Sequence, residues 1–237
     1  MGHLCRCRAV ADTGVGESTG STGFGQSGRW GRGLRTKERV SQFGEVFTPP
    51  DLVEVMVDLV RDESFRIESR FLEPACGSGN FLTEVLSRKL TTVQQRYRTS
   101  EFERRQYALL ALMSVYGIEL LEDNAIECRA NLVAMVAELL GASEESDEVA
   151  AARAVVEANI IQGDALSLLC ATGGPIVFPE WGYLGRGRYQ RRDFRYSSLA
   201  QRASFHDTLF EDVEAAEVFT PTRTYPPMNL SQIGGRS

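Results

Sequence analysis

The chain has 237 residues, of which 43% are hydrophobic and 24% charged, and its formal net charge is −6. This is enough chain for a full α/β core with some irregular ends, and no apolar run nears the ~20 residues that span a bilayer. The negative balance argues against tight, unaided binding to DNA, because an isolated DNA-binding module must neutralise phosphates.

Residues 1–35 are rich in Gly, Ser, Thr and Arg and lack a periodic apolar pattern, so a disordered tail is expected. Arg29, Arg32, Arg35, Lys37 and Arg39 read as a solvated basic stretch. The N-terminus lacks the apolar run of a secretory leader. The five cysteines are Cys5, Cys7, Cys76, Cys128 and Cys170. They follow no framework spacing, which favours free thiols and a reducing, cytoplasmic setting. No second ligand pair follows Cys5 and Cys7, and His3 and His206 are the only histidines, so no metal site is expected.

Order is expected from Gly44-Glu45-Val46-Phe47-Thr48-Pro49-Pro50 onward. Pro49 and Pro50 suit a helix start and Asp51 its first turn. Leu52, Val53, Val55, Met56, Leu59 and Val60 supply apolar positions of that helix. Phe71–Glu73 reads as a strand and Asn80 to about Tyr97 as the helix after it. The polar run 91–106 predicts a helix end and a connection, with 108–113 returning to the core. Residues 115–120 form the second predicted strand. Asp123 is the expected cap of a helix reaching Leu140, with Ile126, Ala130, Leu132, Val133 and Val136 as its apolar positions. Residues 144–148 read as an exposed acidic stretch, 150–158 as a helix and 159–162 as the third strand.

This β-α-β-α-β alternation predicts a parallel sheet with right-handed crossovers and a ligand outside the strands' carboxyl ends. Glu73, Glu119 and Asp164 each end one of the three strands. Beyond them, 175–179 is a short strand candidate. Residues 181–196 interleave Arg with Trp, Tyr and Phe, which suits either nucleic-acid contact or a surface loop anchored by its aromatics. The loop reading carries more weight, for want of a nucleic-acid motif. The proline-bearing residues 219–237 read as an extended tail.

The run Phe71-Leu72-Glu73-Pro74-Ala75-Cys76-Gly77-Ser78-Gly79-Asn80-Phe81-Leu82 is the most specific segment. Two glycines allow close backbone approach to a ligand, and the following helix start offers free N–H groups. Glu73 repels a pyrophosphate and attracts a cation. Leu82 stands where a dinucleotide fingerprint needs Gly or Ala, which disfavours a dehydrogenase.

The string Glu73 to Phe81 closely resembles the first cofactor motif of the amino-methylating, adenine-N6 DNA methyltransferases. The resemblance covers about residues 36–166. It implies a Rossmann-like methyltransferase sheet with flanking helices, incomplete at its C-terminal end, and S-adenosylmethionine as cofactor. In that family, Thr48 and Pro49 look like the motif that holds the methionine carboxylate. Glu73 attracts the methionine ammonium. Pro74, Ala75, Cys76, Gly77 and Gly79 wrap the methionine and ribose, with Phe81 packed beneath. Glu119 accepts from both ribose hydroxyls, Leu120 lies on the adenine, Asp164 accepts the adenine amino group and Ala165 leaves room for the ring.

The family's catalytic block, Asn/Asp-Pro-Pro-Tyr/Phe, is missing. Tyr225-Pro226-Pro227-Met228-Asn229 holds similar letters in the wrong order, with no apolar strand leading in. No catalytic residue is therefore assigned. The resemblance implies the cofactor-holding part of a restriction–modification or phage-defence enzyme. Its acceptor-activating and target-recognising residues lie in a protein partner or a missing C-terminal region, and double-stranded DNA is reached only through the assembly. The alternatives are a non-catalytic S-adenosylmethionine- or partner-binding module, and a methyltransferase acting on RNA or protein.

Overall fold

A computed structural model describes residues 48–197 and 220–235. The expectations for the tail 1–35, its basic cluster and the Cys5/Cys7 pair lie outside the described residues. The first helix, α1 (Pro50–Asp58), starts with Pro50 at its first position and Asp51 in its first turn, where a missing N–H costs nothing and a carboxylate meets the helix dipole. A short α2 (Arg61–Phe65) leads to β1 (Phe71–Glu73).

The core alternation is as expected. β1 is followed by α3 (Asn80–Arg96), α4 (Glu101–Met113), β2 (Val115–Glu119), α5 (Glu122–Leu140), α6 (Asp147–Asn159) and β3 (Ile160–Asp164). β1 pairs with β2 and β2 with β3, both parallel, and the short β4 (Leu169–Cys170) is added antiparallel to β3. Among the described residues β1 is therefore an edge strand.

Several local readings need correction. The expected connection over 91–106 is two helices with a break at 97–100. Ser100 accepts from the Glu103 N–H and caps α4, so its polar outer face is a solvated helix side. Asp123 does not cap α5. Leu121 holds the cap position, and the Glu119 carboxylate accepts its N–H at 3.0 Å. Ile126 and Ala130 face outward, whereas Ala125, Cys128, Leu132, Val133 and Val136 are buried. The acidic stretch is exposed only at Glu144 and Glu145. Ser146 caps α6 by accepting from the Val149 N–H, so Asp147 and Glu148 lie in its first turn.

The largest difference is in the described residues of 171–237, expected to be irregular apart from a short strand at 175–179. β5 (Val177–Gly185) and β6 (Arg188–Arg195) form an antiparallel hairpin, and β7 (Arg223–Thr224) pairs with β6. The expected tail ends in α7 (Leu230–Ile233), held by an Asn229/Gln232 capping box. The aromatics do anchor the segment. Trp181 donates to Asn159 Oδ1 at 2.9 Å, and the Tyr189 hydroxyl donates to Gln106 O at 2.9 Å. Trp181, Tyr189 and Ile233 join the main core with α3–α6.

Register decides what each sheet face sees. Glu73 lies opposite Gly117, and Glu119 opposite Gln162. By the two-residue period, Phe71, Val115, Gly117 and Ile160 share one face, and Phe71, Val115 and Ile160 pack into the helical core. Tyr116, Ile118 and Ile161 belong to the other, covered by Ile176 and Phe178 from the hairpin side.

Candidate functional site

The glycine turn is shaped by sulfur and backbone. The Cys76 N–H donates to Ile118 O at 3.0 Å, tying the turn to β2. Gly79 has φ +95°, and a Cβ there would lie 2.7 Å from Cys128 Sγ. Gly117 is equally restricted, because a Cβ would lie 2.8 Å from Cys76 Sγ. The two buried thiols thus set the distance between the turn, β2 and α5, as small fillers. Hydrogen bonding to Cys128, then burial, pushes the Cys76 thiol far above its ordinary range, which leaves it un-ionised and poorly nucleophilic.

Gly77 differs. Its φ is +53°, yet a Cβ there would meet nothing within 4 Å. Its backbone borders open space, as a ligand-facing turn requires. Its N–H donates to Glu119 Oε2 at 2.8 Å. Glu119 is only 7% exposed. Its Oε1 accepts from the Leu121 N–H at 3.0 Å and from Asn124 Nδ2 at 3.3 Å. A carboxylate offers about four lone-pair sites, so Oε2, with its single bond to Gly77, keeps capacity for a further donor.

Glu73 is half-buried, and burial raises its carboxyl above the usual range despite a 3.4 Å bond from the Ala75 N–H. No described basic side chain pairs with it. Asp164 is the most self-contained of the three. Its Oδ1 accepts the Leu166 N–H at 2.9 Å, and this bond holds its carboxyl low. Glu73, Glu119 and Asp164 fall on the same phase of the strand period at the carboxyl end of the sheet.

Of the remaining expected positions, Pro74, Ala75, Leu120 and Ala165 follow directly on the three strand ends. Pro74, Ala75 and Leu120 are exposed, Leu120 by 54%, and Ala165 is half-buried. Cys76 and Gly79 are buried, and Phe81 packs against the core beneath the turn. Thr48 is half-buried and Pro49 exposed. Pro49 holds the cap position of α1.

Two positioning residues escaped the sequence reading. Asn124 reaches the Glu119 carboxylate, and Asn131 Nδ2 donates to Ser78 O at 3.1 Å. The only signal was two amides, 124 and 131, seven residues and so one helix face apart on α5. A cavity of about 270 Å³ lined by Arg70, Tyr107, Ser114 and Trp181 lies at the opposite, amino-terminal end of β1 and β2.

Residues 34–139 match the family described as N-6 DNA methylase. Over this segment the chain is similar to N-6 DNA methylases. No curated protein and no solved structure matches the chain. The N-6 DNA methylase match includes Thr48, Glu73, the glycine turn and Glu119, and stops before Asp164 and the hairpin. Among the described residues no helix is long and apolar enough to cross a membrane.

Proposed function

We propose that this chain is the cofactor-holding part of a DNA adenine-N6 methyltransferase, binding S-adenosylmethionine at the carboxyl ends of β1–β3. The observation that carries this reading is the buried Glu119 carboxylate, held 2.8 Å from the Gly77 N–H, with lone pairs left for a ribose hydroxyl. The chemistry of the other donors fits the same ligand. Glu73 is a desolvated anion with no described cation beside it, suited to an ammonium. Gly77 opens to space where backbone must meet a ligand. Leu120 is an exposed apolar side chain beside Glu119, suited to a purine face. Asp164 offers an exocyclic amine the lone pairs left by its bonds to Leu166 and Ser167.

When bound, S-adenosylmethionine supplies an electrophilic methyl on a sulfonium. The residues of this chain would hold and orient it and leave the methyl facing outward. The groups that would activate the adenine amine belong to another polypeptide or extension, because Asn-Pro-Pro-Tyr is absent from the sequence. A restriction–modification or phage-defence setting in the cytoplasm, with double-stranded DNA reached through the assembly, follows from the family reading.

Calorimetric titration with S-adenosylmethionine tests the site. Binding should be saturable, and Glu119→Ala should weaken it at least about ten-fold, since hydrogen bonds to a charged group are worth about 1.5–3 kcal/mol. Unchanged affinity in both Glu119→Ala and Asp164→Ala would remove the assignment. The chain alone should leave DNA unmethylated, as read by digestion with a methylation-sensitive nuclease.

A further inference from the structure

Helix α1 carries a second apolar face that the domain does not use. Val53 and Val57 are buried and seat α1 on the core. Leu52, Val55, Met56, Leu59 and Val60 are all exposed, Val55 by 60% and Leu59 by 83%. Scattered exposed side chains of this kind need no explanation. These are not scattered, because Leu52, Val55 and Met56 share one side of α1 at i, i+3 and i+4, and Leu59 and Val60 follow in the turn that ends it. The sequence pattern alone reads the same residues, with Val53, as the apolar positions of one helix.

The polar residues of the helix are as ordered as the apolar ones. Asp51, Glu54 and Asp58, at i, i+3 and i+7, run along one flank of the stripe, and all are exposed. The helix Pro50–Asp58 contains no basic residue. Asp58 is paired with Arg88 at 2.6 Å, which leaves Asp51 and Glu54 as the carboxylates available to a newcomer.

We propose that this stripe is the docking surface for a basic amphipathic helix of a partner protein. Helix-in-groove recognition reads apolar anchors at this spacing, and the acidic flank selects a partner with Lys or Arg beside its own apolar stripe. Charge excludes the other occupants. A membrane surface rich in anionic lipid, like a DNA backbone, is repelled by Asp51 and Glu54. A second copy of this chain would bring two identical acidic flanks into one interface. The surface is distinct from the carboxylate edge and does not depend on what binds there.

The test uses the full chain and two capped peptides of about 18 residues, long enough to hold a helix on binding. One has Leu at helical spacing among Lys, the other the same Leu positions among Glu. The Leu/Lys peptide should bind saturably by fluorescence anisotropy and the Leu/Glu peptide should not. Val55→Asp with Leu59→Asp should weaken the Leu/Lys complex at least about ten-fold. That variant is more acidic than the wild type, so a purely non-specific attraction would be kept or tightened and would overturn the proposal. Asp51→Lys with Glu54→Lys should reverse the preference between the peptides. Circular dichroism melts confirm folding, which these exposed positions should not disturb. Two other results would also overturn the proposal. One is self-association by sedimentation that Val55→Asp with Leu59→Asp abolishes. The other is binding to vesicles of phosphatidylserine and phosphatidylcholine that the same variant loses.

Discussion

Glu73 sets a local conflict between stability and binding. Burial raises its carboxyl above the usual range. The folded chain therefore holds that proton more tightly than the unfolded one. Where the pKa is raised on folding, stability is greatest below the unfolded value and falls as pH rises through the folded one. Glu73→Gln removes the ionisable group and keeps the shape. The variant should melt higher than wild type at pH 8, with the difference shrinking toward pH 4, as read by thermal melts across that range. Its affinity for S-adenosylmethionine should fall about ten- to a hundred-fold, since the ammonium loses its anionic partner. A variant that melts no higher at pH 8 would show that the carboxylate is solvated or already paired. The three acidic strand ends were legible in the sequence because each is a local feature, a polar residue closing an apolar run. Asn124 and Asn131 were not, since neither a turn nor a strand end marks them. Only the fold brings their amides to Glu119 and to Ser78 O.

At the scale of elements, β1 is only three residues long and needs outside support. Lys89 on α3 provides it. Its Nζ is fully buried and donates to Arg66 O at 3.0 Å, Ile67 O at 3.2 Å and Ser114 Oγ at 2.8 Å, and also to Ser69 O. One ammonium thus gathers the connection into β1 and the residue before β2. Burial pushes Lys89 down to about 7. The carbonyl cradle acts the other way, because hydrogen bonds to the charged form favour it. The three carbonyls and one hydroxyl on a group with three donors argue for an ammonium at neutral pH. Lys89→Met keeps the stem and deletes the donors, leaving buried acceptors unsatisfied at about 1–3 kcal/mol each. A loss of at least about 2 kcal/mol in denaturant unfolding is expected, with amides of 66–73 exchanging faster. A neutral result would mean that water or a backbone shift replaces the ammonium. Periodicity placed Lys89 within α3 without revealing this role, since a lysine inside a helix ordinarily reads as a solvated residue. The helix break at 97–100 was equally hidden, because the outer faces of α3 and α4 are as polar as a loop.

Over the whole molecule, the sheet was legible and its lower cover was not. β1, β2 and β3 are separated by helices whose apolar periods are local, so order and type follow from the sequence. The hairpin β5–β6 has its partners far away in the chain. Trp181 meets Asn159, Tyr189 meets Gln106, and Tyr116 donates to Pro179 O at 2.9 Å. Of its arginines, Arg191 and Arg192 are ion-paired within the fold, while Arg186, Arg188 and Arg195 are exposed. Arg191 binds the buried Asp193 at 2.6 Å and lies over Trp181 and Tyr225, and Arg192 pairs with Glu180. The C-terminal residues complete this cover. Tyr189 and Met228 exchange backbone hydrogen bonds of 2.8 Å in both directions, and α7 packs on α6 closely enough that a Cβ on Gly234 would lie 2.9 Å from Ala150 Cβ. Ile233 is the only buried residue of α7 and joins the main core. Ile233→Asp places a carboxylate in that core and should cost about 2–4 kcal/mol, through lost apolar burial and a desolvated charge. If α7 latches the hairpin, hydrogen exchange in 188–195 and 223–233 should quicken together, while 115–119 and 160–164 stay protected. S-adenosylmethionine affinity should then change little, because the latch and the carboxylate edge lie on different elements. Uniform loss of protection across both groups would show instead that hairpin, latch and sheet fold as one cooperative unit.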